Sequence, residues 1–350
     1  MSQFEGFNAE NKLRIPLTAY AAQVIENDCM NFAKKRATLI NSIILNYYQS
    51  AECSISLRLI DYKNELSNCF SYSEKKNNQP IIDKIIGRKA TELKELYAKR
   101  HTSDLNWQIS LNKKVKELLT NDPNSFEEKY YGERPGHYVH SLIEEYARLP
   151  YYRREEVIYK DFIDTINNAI DSGYVLNLLN TKGNHISLKP YKIATDPLSM
   201  YHYLVGYSIM PDSSLSVISE KMLPDVLSIR LSRLTSVDIQ YFNSSGITPK
   251  EERQIVSELE KKGVQFVSGD VSSIKIWLSD NGIKKYNSQL HLRPAGTKDD
   301  LDNHIYLFEC TEAQALFYFI SFGKDARVIS PETLKNQFKE IYNEALTSYK

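Results

Sequence analysis

Only four of the 350 residues are cysteine, Cys29, Cys53, Cys69 and Cys310, and no two stand in a Cys-x-x-Cys pair. That excludes the commonest zinc and redox signatures and leads us to expect a reduced, cytoplasmic protein with incidental thiols. No apolar run approaches the ~18 residues that suggest a membrane span, so no membrane partner is expected. Residues 1–11 are polar and partly acidic, unlike a secretory signal. No phosphate-binding glycine loop and no His-Glu-x-x-His occurs. His137 and His140 stand three apart with no evident third ligand, and Asp299, Asp300 and Asp302 sit in a polar stretch after Gly296. Neither pattern specifies a metal site. The expectation is a non-enzyme with no catalytic residues, no metal and no cofactor. Charge of one sign is missing too: 44 Lys+Arg balance 44 Asp+Glu. A wholly basic nucleic-acid protein is thereby excluded, and any electrostatic footprint must be local.

The chain is rich in tyrosine, with 24, a residue with an apolar ring and a polar tip that suits wet surfaces as well as cores. Two segments combine rings with cations. One runs Met200-Tyr201-His202-Tyr203-Leu204-Val205-Gly206-Tyr207, and the other Ile229-Arg230-Leu231-Ser232-Arg233-Leu234. Each reads as a short strand with one apolar face. Rings beside guanidinium groups are the chemistry that holds nucleic acid or another phosphate-rich ligand. Period 2 sends Arg230 and Arg233 to opposite faces. A bulge at Ser232 would reunite them; otherwise one arginine is structural, or both lie in surface ion pairs.

Near the start, Leu13, Ile15 and Leu17 alternate with Lys12, Arg14 and Pro16, a strand with one buried face. Pro16 cannot donate to a central ladder, so the strand belongs at an edge or in a two-stranded ribbon. Thr18 suits an N-cap for a helix from Ala19 to Phe32. After the basic turn Lys34-Lys35-Arg36, Thr38 can cap a second helix burying Leu39, Ile43, Ile44 and Tyr47. Strand, helix, basic turn, helix resembles the ribbon-helix-helix family. That resemblance implies two chains pairing their strands into a ribbon, a homodimer, with Lys12 and Arg14 facing a DNA groove. It also offers the second helix's N-terminus, near Thr38, to a phosphate.

Residues 51–150 read as a helical linker region. It has a stripe Ile55, Leu59, Tyr62, Leu66, and helices from Ile81 to Arg100, from Leu105 to Leu119 and from Tyr138 to Leu149. Between Lys75 and Lys116 there are eleven Lys+Arg and four acids, 11 − 4 = +7, which could track a phosphate backbone or simply be a solvated surface. After an amphipathic helix, Asp161 to Ile170, come short strands at Val175–Leu179, His185–Leu188, Tyr191–Ala194, Met200–Tyr207 and Val226–Leu234, the signature of a small curved barrel.

That block resembles the WYL domain. The residues that carry the resemblance are Lys189-Pro190-Tyr191-Lys192-Ile193, His202-Tyr203-Leu204-Val205-Gly206-Tyr207 and Arg230-Leu231-Ser232-Arg233-Leu234. His202 replaces the Trp of the family name. The resemblance implies an Sm-like β-barrel whose ligand surface is lined by Tyr203, Arg230 and Arg233, with His202 in the usual Trp position. Residues 243–350 resemble the extension that often follows this barrel. Gly323, Ala326, Val328, Pro331 and Leu334 match its closing pattern, and a strand at Ile274–Leu278, a strand at Tyr306–Cys310 and a helix from Thr311 to Phe322 precede it.

The expected fold class is thus multidomain α+β. It has a ribbon-helix-helix (1–50), a helical linker region (51–150), a WYL domain (151–242) and a C-terminal α+β extension (243–350). This combination resembles the WYL accessory proteins of type VI-D CRISPR systems. The implied function is binding of single-stranded RNA and enhancement of an RNA-guided CRISPR effector nuclease, in the cytoplasm. The alternatives are a ligand-responsive regulator that binds duplex DNA, and an interaction module with no nucleic-acid affinity.

Overall fold

A computed structural model of the chain describes residues 12–70, 72–98, 103–120, 128–132, 134–196, 201–209, 225–244, 246–268 and 271–349. It is mixed α/β and divides into two compact units, 1–160 and 161–350.

The first unit is helical around one two-stranded ribbon. Its elements are β1 (Lys12–Leu17), α1 (Ala19–Asn31), α2 (Arg36–Tyr47), α3 (Ile55–Asn68), α4 (Tyr72–Tyr97), β2 (Leu105–Ser110), α5 (Lys113–Thr120), α6 (Glu128–Tyr131), α7 (Pro135–Arg148) and α8 (Tyr151–Ile158). The alternation in β1 works as its pattern predicts: Leu13, Ile15 and Leu17 are buried against a core that includes Ile25, Ile43, Ile44, Leu142 and Ile143. Thr18 is the N-cap of α1, its hydroxyl accepting from Ala21 N–H. Helix α2 starts at Arg36, two residues before the expected cap at Thr38, and Lys35 is its N-cap with no side-chain bond.

Two expectations fail here for one reason. Leu105–Ser110 is a strand, where a helix from Leu105 to Leu119 was predicted; only Lys113–Thr120 is helical. That strand is the ribbon partner: β1 and β2 pair antiparallel within the one chain, Lys12 opposite Ser110, Arg14 opposite Gln108, Pro16 opposite Asn106. The ribbon expected between two chains is therefore intramolecular. The outer edge of β1, where a second chain's strand would pair, is covered by α7. His140 Nδ1 lies 2.7 Å from the Pro16 carbonyl oxygen, and a Cβ on Gly136 would stand 2.3 Å from the Arg14 carbonyl oxygen. Pro16, with no N–H, sits on that edge without loss.

The second unit opens with α9 (Lys160–Ser172) and continues through β3 (Tyr174–Asn180), β4 (His185–Thr195), β5 (His202–Ile209), β6 (Val226–Arg230) and β7 (Leu234–Ser244). These strands form an antiparallel sheet in the order β6-β5-β4-β3-β7. The predicted strands His185–Leu188 and Tyr191–Ala194 are one strand, bulged between Pro190 and Lys192. Edge strands of a flat five-stranded sheet would stand about 19 Å apart. The chain from Arg230 to Leu234 spans at most about 14 Å, so the sheet must roll until its edges approach. It does not close: among the described residues no ladder joins β6 to β7. The expected barrel is thus an open, rolled sheet. Its β6 edge is met by a side chain, the Ser268 hydroxyl, which accepts from Ser228 N–H (2.7 Å) and donates to Ser228 C=O (3.0 Å).

Helix α10 (Pro249–Lys262) packs on one face of this sheet, burying Val205, Val226 and Ile255. A capping box at Thr248 and Glu251 starts it, and Lys189 bridges to Glu251 at 2.8 Å. Burial alone would raise the Glu251 carboxyl, but bonds from Lys189 and Thr248 hold it below the usual carboxylate range. Then follow β8 (Val271–Leu278), α11 (Asp280–Ser288), β9 (Gly296–Lys298), β10 (Ile305–Thr311), α12 (Glu312–Phe319), β11 (Ala326–Ser330) and α13 (Glu332–Thr347). Their sheet, in the order β11-β8-β10-β9, buries Ile274, Ile276, Tyr306 and Phe308 under a cluster of Tyr286, Tyr318, Phe319 and Phe322. Among the described residues no helix is long and apolar enough to cross a membrane.

Candidate nucleic-acid interface

Strand alternation and register decide which predicted side chains meet. Tyr203 lies directly opposite Arg230 on β6, and Ala194 flanks Tyr203 on its other side. Cross-strand partners share a face, with Cβ atoms about 5 Å apart. Tyr201, two residues before Tyr203, comes to the same face, and the Arg230 guanidinium carbon stands 3.2 Å from its ring centroid. The result is a guanidinium over one phenol ring, with a second, half-buried ring beside it. Tyr201 was not among the predicted site residues, although its period-2 spacing from Tyr203 was available in the sequence.

Alternation also sends His202 away. It is buried and faces opposite to Tyr203, among Leu204 and Ile229 of the sheet's other side. The chain between Arg230 and Leu234 is a turn of 3-10 helix, Leu231–Arg233, and not a bulge at Ser232. Leu231 is its buried residue; Arg233 ends it, exposed and without an ion pair among the described residues. The Arg233 carbonyl accepts from Thr181 N–H in the β3–β4 turn, where Gly183 takes a positive φ of 81°. Lys192, exposed, lies 5.6 Å over the Tyr191 ring at the β4 bulge. Met200 and the rest of 197–200 lie outside the described residues.

Lys12 and Arg14 belong to the first unit. They share the outward row of β1 with Pro16, facing Ser110, Gln108 and Asn106 of β2, all three exposed. The last three were missed because their segment was read as helix. The signal was present: Trp107 and Ile109 alternate with Asn106, Gln108 and Ser110. Of the histidines considered for a metal, His140 is buried and committed to Pro16. Asp299 and Asp302 cap their own loop through Leu301 and His304 N–H, and Asp299 also meets Lys275 at 3.8 Å.

No family model matches the chain, and no curated protein matches it. Among solved structures, one described as "Crystal structure of a CRISPR Cas-related protein" superposes with a TM-score of 0.69 at 21% identity, covering 99% of this chain and 98% of that one. The two chains share a fold along nearly their whole length. A second, "Proteasome accessory factor B/C (PafBC) of Arthrobacter aurescens", gives a TM-score of 0.32 at 14% identity over 70% of this chain and 38% of that one, too slight a likeness to carry the fold.

Proposed function

We propose that the chain is a non-catalytic accessory protein of a CRISPR system, of the type VI-D class its sequence resembles, that binds single-stranded RNA and enhances the RNA-guided nuclease. The observation that carries this reading is the Tyr201–Arg230 stack with Tyr203 in register beside it. A single strand needs rings for its bases and cations for its phosphates, and this face offers both within one strand pair. Arg233 at the following turn and Lys192 on β4 add exposed positive charge. The fold shared with a CRISPR Cas-related protein supports the biological setting.

The test is fluorescence anisotropy of the full chain with matched single-stranded RNA, single-stranded DNA and duplex DNA in one salt series. RNA affinity should be highest and fall steeply with salt. Tyr203→Ala should weaken RNA binding by about 1–3 kcal/mol, the value of one stacked base. Unchanged affinity in both Tyr203→Ala and Arg230→Ala, with folding intact, would remove this face from the site. A nuclease-stimulation assay with the same variants tests the accessory role.

A further inference from the structure

Helices α11, α12 and α13 all pack on one face of the C-terminal sheet, through Tyr286, Tyr318, Phe319, Leu334 and Phe338. Alternation turns the remaining side chains to the other face, where Ser273, Lys275, Thr297, Glu309 and Arg327 are exposed. Register sets this face in rows about 6.8 Å apart. Arg327 of β11, Trp277 of β8 and Ile305 of β10 stand side by side. Lys275, Leu307 and Thr297 form the next row, and Ser273 and Glu309 the one after. Trp277, Ile305 and Leu307 are half-buried, an apolar floor on the two central strands. The Arg327 guanidinium carbon lies 5.2 Å from the Trp277 ring centroid. The His304 ring lies near-parallel to the indole, with centroids 6.0 Å apart and planes at 28°. His304 is held there by its Nδ1, 2.8 Å from the Leu278 carbonyl oxygen. Among the described residues, neither the Arg327 guanidinium nor the Trp277 indole N–H makes a hydrogen bond or ion pair.

We infer that this open sheet face is a second site for single-stranded RNA, at which an unpaired base stacks on Trp277 and Arg327 takes the adjoining phosphate. An open four-stranded sheet backed by helices is a known platform for unpaired bases, which stack on aromatics of its central strands. Here the ring is on β8, one of the two central strands in the order β11-β8-β10-β9. The charge pattern fits a polyanion that starts at the ring. Arg327 is in the Trp277 row, while Glu309, the acid of this face, is two rows away. Asp299 of the adjoining loop is engaged by Lys275 at 3.8 Å. The exposed hydroxyls of Ser273 and Thr297 are groups that a ribose 2′-OH can bond, which favours RNA over DNA. Stacking is indifferent to base identity, so the site should tolerate sequence. A duplex, whose bases are already stacked and paired, offers the indole nothing to hold. None of the residues of this face belongs to the Tyr201–Arg230 platform, so the two can be removed separately.

The test is tryptophan emission of the full-length chain in a Trp107→Phe background, where Trp277 is the sole emitter. Single-stranded RNA should quench it to saturation, single-stranded DNA of the same sequence should need a higher concentration, and duplex RNA should leave it unchanged. Arg327→Ala keeps the emitter and should raise the RNA concentration for half-quenching roughly tenfold. By anisotropy in the natural sequence, Trp277→Ala should weaken RNA binding roughly tenfold, and Trp277→Phe, which keeps a ring, should restore most of it. Tyr203→Ala and Arg230→Ala should still show the quenching. RNA that binds without quenching Trp277, equal quenching by duplex RNA, or wild-type affinity in both Trp277→Ala and Arg327→Ala would overturn the inference. The two faces fail separately. Quenching together with wild-type affinity in Tyr203→Ala and Arg230→Ala would remove the first and keep this one, and binding lost in those variants without any quenching would do the opposite.

Discussion

Gly136 offers a test in which two known effects have opposite signs. It is the second residue of α7, and replacing a helical glycine by alanine ordinarily stabilises, by about 0.5–1 kcal/mol. Here the added Cβ would stand 2.3 Å from the Arg14 carbonyl oxygen and 3.9 Å from the Leu13 side chain. Ordinary contact begins near 3.4 Å, so helix and strand would have to separate by about an ångström. The obstacle is backbone, which cannot rotate away, and overpacking of this kind costs about 1–3 kcal/mol. The clash should win, leaving Gly136→Ala less stable by about 0.5–2 kcal/mol. The chain has two tryptophans, Trp107 on β2 and Trp277 on β8. In a Trp277→Phe background, Trp107 fluorescence therefore reports the ribbon directly. With a urea slope of about 1–3 kcal/mol per molar, the unfolding midpoint should fall by roughly half a molar. A midpoint that rises would mean that propensity dominates and that α7 does not seal the edge of β1.

Asp28 is fully buried and holds Arg154 Nε at 2.8 Å and the Tyr146 hydroxyl at 2.8 Å. Arg154→Ala strands that carboxylate and should cost about 3–5 kcal/mol in chemical denaturation; a loss under about 1 kcal/mol would refute the pair as a structural requirement. Burial pushes the Cys310 thiol up to about 12, while Cys69 is exposed. The native chain should therefore be labelled by a thiol reagent near neutral pH at Cys69 and spared at Cys310. Mass spectrometry showing equal labelling of both would contradict the burial of β10.

Much of the local structure could be read from residue order, because the physics deciding it is local. Leu13, Ile15 and Leu17 alternate, Thr18 caps, and Leu39, Ile43, Ile44 and Tyr47 recur at helical spacing; all are buried or capping as the pattern requires. Pairing was not legible. Leu105–Ser110 lies 87 residues beyond Thr18 in sequence, and within a polar stretch rich in helix formers its alternation spans only six residues. Nothing local says that its partner is β1 of the same chain. That choice follows from Asn41 clamping Ser110 and from α7 closing the opposite edge, contacts of high sequence separation.

The ring-and-cation face shows the same division from the other side. Tyr203 and Arg230 were recognisable as residue types, but whether they meet depends on register, and register is set by where the β4 bulge and the 3-10 turn fall. A one-residue slip of β5 against β6 would place His202 beside Arg230 and bury Tyr203, since alternation exchanges every side chain between faces. The bulge at Pro190–Lys192 is therefore part of the site. It resets the parity of β4 so that Ala194 stands next to Tyr203 on the face where α10 packs, while Leu188 lies on the opposite face. A site specified this way should be sensitive both to insertion at the bulge and to changes on α10, which packs on the same face of the sheet against Val205, Val226 and Ala194.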